Sequence, residues 1–117
     1  MSEVFVSTAR DDPKELEIEA WTYEDGRHTI FRGGLNYWLM PNGSIDIGTV
    51  AVEPDYQRQG VASRLFDQLR TCNPEVTNYK STVVSDEGGF LFRSLARRHS
   101  DLVFDLHCED GSIFTCD

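Results

Sequence analysis

Gln57-Arg58-Gln59-Gly60-Val61-Ala62-Ser63 carries the clearest chemical signal in the chain. It follows the apolar run Val50-Ala51-Val52 and the polar turn Glu53-Pro54-Asp55-Tyr56, and its Gly60 opens a stretch of helical periodicity. The first backbone N–H groups of a helix have no acceptor within the helix, and the summed peptide dipoles add partial positive charge there. Such a helix start holds a phosphate without a lysine. Gly60 and Ala62 keep Cβ bulk away from the bound group, and Gln57, Arg58 and Ser63 place side-chain donors beside it. An ordinary helix start is the bland alternative, but many adjacent positions fit the cradle. A Walker A loop is excluded because no Gly-Lys-Ser/Thr follows. A dinucleotide fold lacks its third glycine and acidic partner.

The chain must build this cradle within 117 residues, room for a single core and one domain spanning 1–117. Twenty Asp and Glu against eleven Lys and Arg leave a formal charge of −9. That charge argues against nucleic acid and anionic membrane and fits a cationic second substrate, although a solvated acidic surface that aids solubility is the simpler reading. Cys72, Cys108 and Cys116 make an odd count with no framework spacing, and Met1-Ser2-Glu3 starts no signal peptide, so a cytoplasmic location is expected. No apolar run reaches the roughly 18 residues of a membrane span. His28, His99 and His107 have no metal-ligand spacing with the cysteines, so no metal site is expected.

The elements that position the cradle follow from periodicity. Val4-Phe5-Val6 reads as a short strand ended by Asp11-Asp12-Pro13. Leu16, Ile18, Ala20 and Thr22 alternate with Glu15, Glu17, Glu19 and Trp21, a strand with one buried and one wet face. After Asp25-Gly26, a further strand from Thr29 to Met40 is expected to break at Gly33-Gly34, and Asn42-Gly43 predicts a hairpin. From Ser44 to Glu53 the parity changes: Ile45 and Ile47 share one face, Val50 and Val52 the other. A β-bulge at Gly48-Thr49 restores all four to one face and bends the strand from its neighbour; a strand buried on both faces is the alternative.

Val61, Leu65, Leu69 and Cys72, with Ala62 and Phe66 beside them, predict a helix from Gly60 to Cys72, stopped by Asn73-Pro74. Ser81 to Val84 reads as a strand parallel to the one before the helix, which makes a βαβ crossover. A second helix is expected from about Gly89 to Arg98, and Leu102 to Cys108 with Ser112 to Cys116 as a closing hairpin around Glu109-Asp110-Gly111. The fold class is therefore α+β: a mixed, mostly antiparallel sheet with a central parallel pair and about two helices.

The segment from Ile45 to Leu69 resembles motif A of the Gcn5-related N-acetyltransferases, whose signature of Gln or Arg, two residues, Gly, one residue, then Gly or Ala appears here as Gln57, Gly60 and Ala62. The preceding Val-x-Pro strand end, Tyr56 and the following helix strengthen it. The resemblance implies an enzyme that transfers acetyl from acetyl-coenzyme A to an amine. It assigns the backbone of Val50, Ala51 and Val52 to the pantetheine arm and Gln57, Arg58, Gln59, Gly60, Val61, Ala62 and Ser63 to the pyrophosphate. A strand splayed at a bulge has unpaired backbone groups for such an amide-bearing arm. Amine acetylation also needs a base and a proton donor for the leaving thiolate. The resemblance implies Asp46 as base, with Glu53 as the alternative at the other strand end.

Two departures qualify the resemblance. The family's Asn and Tyr of the second half match Ser85 and Phe92; phenylalanine donates no proton, which leaves Ser85, Tyr37, Tyr79 or water as the acid. The two helices that the family inserts after its first strand are absent, since Thr8 to Glu17 has room for a loop only. A partner chain, a second copy included, or a large protein substrate is then left to supply the acceptor wall. The expected acceptor is a small amine, a protein lysine or a protein N-terminus, with no nucleic acid or membrane partner. The alternative is a silent acyl-coenzyme A-binding or protein-interaction module. Arg93, Arg97, Arg98 and His99 read as helix C-terminal charges or as contacts to the cofactor's 3′-phosphate. Trp21, Tyr37 and Trp38 read as core or sheet-edge aromatics, or as the lining of an acceptor pocket.

Overall fold

The computed structural model describes residues 4–12, 15–24, 28–57 and 60–115. The expected Asp25-Gly26 turn, Pro13, Arg58, Gln59 and Cys116 lie outside the described residues. Nine elements follow in order: β1 (Val4–Asp12), β2 (Glu15–Glu24), β3 (His28–Leu39), β4 (Ile45–Val52), a short 3-10 turn (Pro54–Tyr56), α1 (Val61–Cys72), β5 (Asn78–Val83), α2 (Asp86–Arg98) and β6 (Val103–Cys108). The strands form one sheet in the order β1-β2-β3-β4-β5-β6. Pairing is antiparallel from β1 to β4 and parallel from β4 to β6.

Strand alternation decides which side of the sheet is covered. Leu16, Ile18, Ala20 and Thr22 of β2, Leu35 and Tyr37 of β3, Ile45 and Ile47 of β4, Tyr79 of β5 and Leu106 of β6 are buried on one face. Val61, Leu65, Phe66 and Leu69 of α1 and Phe92 and Leu95 of α2 complete the same core. Burial of each such large apolar side chain stabilises by about 1.5–3 kcal/mol, so docking of α1 fixes where its N-terminus sits.

Several expectations are corrected. β1 is nine residues long and forms a hairpin with β2, so Thr8 to Glu17 is mostly strand rather than loop. β3 does not break at Gly33-Gly34; it runs for twelve residues. Gly33 is needed there for closeness, since a Cβ on it would lie 2.7 Å from the Ala51 carbonyl oxygen. A second parallel pair joins β5 to β6, because α2 is itself a crossover. α2 starts three residues earlier than expected, at Asp86, where Ser85 Oγ accepts from Gly88 N at 3.1 Å. Among the described residues the closing hairpin shrinks to one bridge, His107 with Ile113.

The β4 irregularity is a bulge. Leu35 pairs with Val50 and Tyr37 with Ile47, so the single residue Asn36 faces both Gly48 and Thr49. Ile45 and Ile47 are buried, and Val50 and Val52 pack against the same core, which decides against a strand buried on both faces. Two outward-facing side chains hold the bulge. Asn36 Oδ1 accepts from Thr49 N at 2.5 Å, and the Trp38 indole lies over Gly48, where a Cβ would meet ring carbons at 2.5 and 2.7 Å.

Candidate active site

The bulge opens the sheet. β4 and β5 pair only at Ile45–Tyr79, Asp46–Lys80 and Ile47–Ser81, although β4 continues to Val52 and β5 to Val83. The two parallel strands therefore diverge from a vertex at Ile47 and Ser81. Ser81 Oγ donates to the Ile47 carbonyl at 3.0 Å and closes that vertex, a role invisible in the sequence because it needs the pairing.

Backbone direction decides what the cleft offers. Glu53 N donates to Arg32 O at 2.8 Å, and the Ala51 carbonyl lies against Gly33, so both face β3. Alternation turns the N–H and C=O of Val50 and Val52 toward the cleft. Gln57 Nε2 donates to Val52 O from that side at 3.0 Å.

At the cleft mouth, Gly60 is the N-cap of α1 with φ 78°, a left-handed conformation that a side chain strains. Among the described residues beyond its chain neighbours, a Cβ there would meet nothing within 4 Å, so backbone conformation demands glycine. Among the described residues no side chain caps α1 and no acid stands in its first turn, whereas α2 begins with the Ser85 cap, Asp86 and Glu87. Of the two helix starts, the one in α1 suits an anion. Val61 is buried, and Ala62 and Ser63 are half-buried. This uncapped turn, with open space over Gly60 beside cleft-facing amides, fits a pyrophosphate followed by an amide-bearing arm.

The remaining candidates separate. Asp46 lies on the outer sheet face, half-buried, one residue before the vertex, between Trp38 and Lys80 in the ladder. Glu53 is held by Arg32 Nη1 at 2.7 Å. Arg32 Nε also donates to Thr22 Oγ1 at 2.9 Å, and its guanidinium stacks 4.6 Å from the Tyr56 ring centre. Sequence reasoning missed this arginine, which ties β2, β4 and the turn before α1 together. Ser85 is the α2 cap. Phe92 is buried against Phe104 of β6. Tyr37 accepts from Asn73 Nδ2 at 3.3 Å, and Tyr79 is buried at the closed end of the β4–β5 pair, where loss of water raises its pKa. Arg98 and His99 approach Asp67 of α1 at 3.6 and 3.7 Å, and Arg93 stacks over Phe114.

The family model for the acetyltransferase (GNAT) family matches residues 5–71, more than half of the sequence. The chain belongs to that family. Acetyl transfer is the family's general reaction. A GNAT-family acetyltransferase from Streptococcus pneumoniae TIGR4 shares the fold, with a TM-score of 0.62 over 80% of this chain and 86% of that one, at 14% identity. No curated protein matches the sequence. Among the described residues no helix is long and apolar enough to cross a membrane.

Proposed function

We propose that this GNAT-family protein transfers acetyl from acetyl-coenzyme A to a cationic amine. The single observation behind this reading is the split between β4 and β5 leading to an uncapped helix start at Gly60. Val50 and Val52 hold the pantetheine amides through cleft-facing backbone, and the amides of Val61, Ala62 and Ser63 hold the pyrophosphate, with Gln57 beside it. Ala51 acts from the β3 side, as a strand neighbour rather than a direct partner. Acetyl-coenzyme A supplies an activated thioester whose acyl group passes to the amine by direct attack.

Asp46 takes the ammonium proton, directly or through water, because it stands beside the vertex and Glu53 is engaged by Arg32. Replacing Asp46 by Asn should lower kcat about a hundredfold while leaving acetyl-coenzyme A affinity within a factor of about three. Thiol release with an amine panel and calorimetry read the two separately. Unchanged turnover would retire Asp46 as the base. A second reading, a silent acyl-coenzyme A-binding module, is favoured by the buried Phe92, by the burial of Tyr79 at the closed end of the β4–β5 pair and by the bond from Asn73 to Tyr37. Cofactor binding with no thiol release from any amine would select it.

A further inference from the structure

The covered and bare faces of the sheet differ sharply. Both helices complete the core on one side, and among the described residues no helix covers the other. That bare face carries Trp21, Tyr23, Phe31 and Trp38, with Tyr23 55% and Phe31 43% exposed. Trp21 and Phe31 meet edge to face at 5.5 Å. Between this pair and Trp38, roughly 20 Å away along the strands, the face is low, because Gly34 and Asn36 stand there. The resulting depression, of about 270 Å³, is lined by Glu17, Glu19, Phe31, Asn36, Thr49 and Ala51 among others. Glu17 and Glu19 form its β2 wall, and Thr49 and Ala51 form its β4 side.

We propose that this bare aromatic face docks a cationic, partly apolar segment of the acceptor polypeptide, in extended form, with its target lysine directed over β4. The inference rests on the acetyl-transfer reading for its orientation and on the face alone for docking. Charge complementarity selects the occupant. Glu17 and Glu19 wall the depression and Asp46 stands at its Trp38 end, with Lys80 beside Asp46 in the ladder. A second copy would bring its own −9 to an acidic face, and an anionic membrane would be repelled. Aromatic side chains at both ends give apolar residues of the segment a surface to cover. About six extended residues span the distance between the aromatic ends.

The test uses the whole chain without cofactor and a blocked, labelled nine-residue peptide alternating lysine with leucine. Fluorescence anisotropy should show saturable binding, and a peptide alternating glutamate with leucine should not bind. Two variants change the face in opposite ways: Glu17→Gln with Glu19→Gln removes the acidic wall, and Gly34→Val fills the floor. Each should weaken peptide binding at least about tenfold, with folding checked by circular dichroism and acetyl-coenzyme A affinity unchanged by calorimetry. Thiol release with n-butylamine should also persist. No binding of the lysine peptide, equal binding by the variants, equal binding of the glutamate peptide, or self-association of the wild type abolished by Gly34→Val would each overturn the proposal. Failure of the wild type to bind acetyl-coenzyme A would overturn the acetyl-transfer reading and leave the peptide result to decide docking.

Discussion

Deletion of Gly48 separates the bulge from every other feature of β4. In the intact strand Asn36 faces both Gly48 and Thr49, so removing one residue leaves a regular ladder in which Leu35 still pairs with Val50 and Tyr37 with Ile47. Ile45, Ile47, Val50 and Val52 keep their inward side, because the deletion restores strict alternation. Thr49 N loses its Asn36 side-chain acceptor but gains a ladder position, and β4 becomes straight enough to pair with β5 beyond Ile47–Ser81. One hydrogen bond lost against one or two gained, each worth about 0.5–1.5 kcal/mol, predicts a stability change within about 2 kcal/mol of zero. Cofactor binding should respond very differently. Two cleft-facing amide contacts at Val50 and Val52 are lost, and steric closure adds to them, so affinity for acetyl-coenzyme A should fall at least about a hundredfold. Urea unfolding and calorimetric titration read the two quantities on one sample. A folded deletion variant that binds acetyl-coenzyme A within about threefold of the wild type would refute the reasoning that the bulge makes the cleft.

Other perturbations probe the remaining parts of the site. Gly60→Ala should cost about 1 kcal/mol of stability, from the left-handed backbone, since among the described residues beyond its chain neighbours nothing lies within 4 Å of the new Cβ; Gly60→Glu should in addition abolish cofactor binding through bulk and charge, as calorimetry would show. Arg32→Met removes the donor to the buried Thr22 and the stack on Tyr56, and thermal unfolding should report a loss of about 1–3 kcal/mol, little of it from the half-exposed Glu53 pair. His99 has its pKa lowered by burial and then by Arg70. The unfolded state therefore takes up the proton first, so stability should fall as pH drops below about 6.5, and His99→Gln should flatten that slope in urea titrations across pH 5–8.

How far the sequence revealed this molecule depends on whether a feature is local. The two core-facing sets of β4 differ in parity by one residue, which leaves a bulge and a strand buried on both faces as equal readings; the register against Asn36 decides between them. The α1 start was legible because helical spacing and Gly60 lie within a few residues of each other. Gly33-Gly34 misled because a local breaker signal was outweighed by what the neighbouring strand requires, namely room for the Ala51 carbonyl. Likewise Thr8 to Asp12 lacks an apolar alternation strong enough to announce strand, and pairing with Glu15 to Ile18 of β2 supplies what local pattern does not. Arg32 could not be found at all from spacing. Its partners Thr22 and Glu53 lie 10 and 21 residues away and converge only when β2, β3 and the end of β4 are side by side. Ser81 is the same case, since a hydroxyl on a strand becomes a vertex clamp only once Ile47 is its neighbour.

Calorimetric titration of acetyl-coenzyme A into the wild-type chain tests the central claim most directly, because the β4–β5 split and the Gly60 helix start are both read as parts of one binding site. Saturable one-to-one binding that disappears in Gly60→Glu is the predicted result. Absence of heat with the folded wild type, or equal heat with Gly60→Glu, would contradict it.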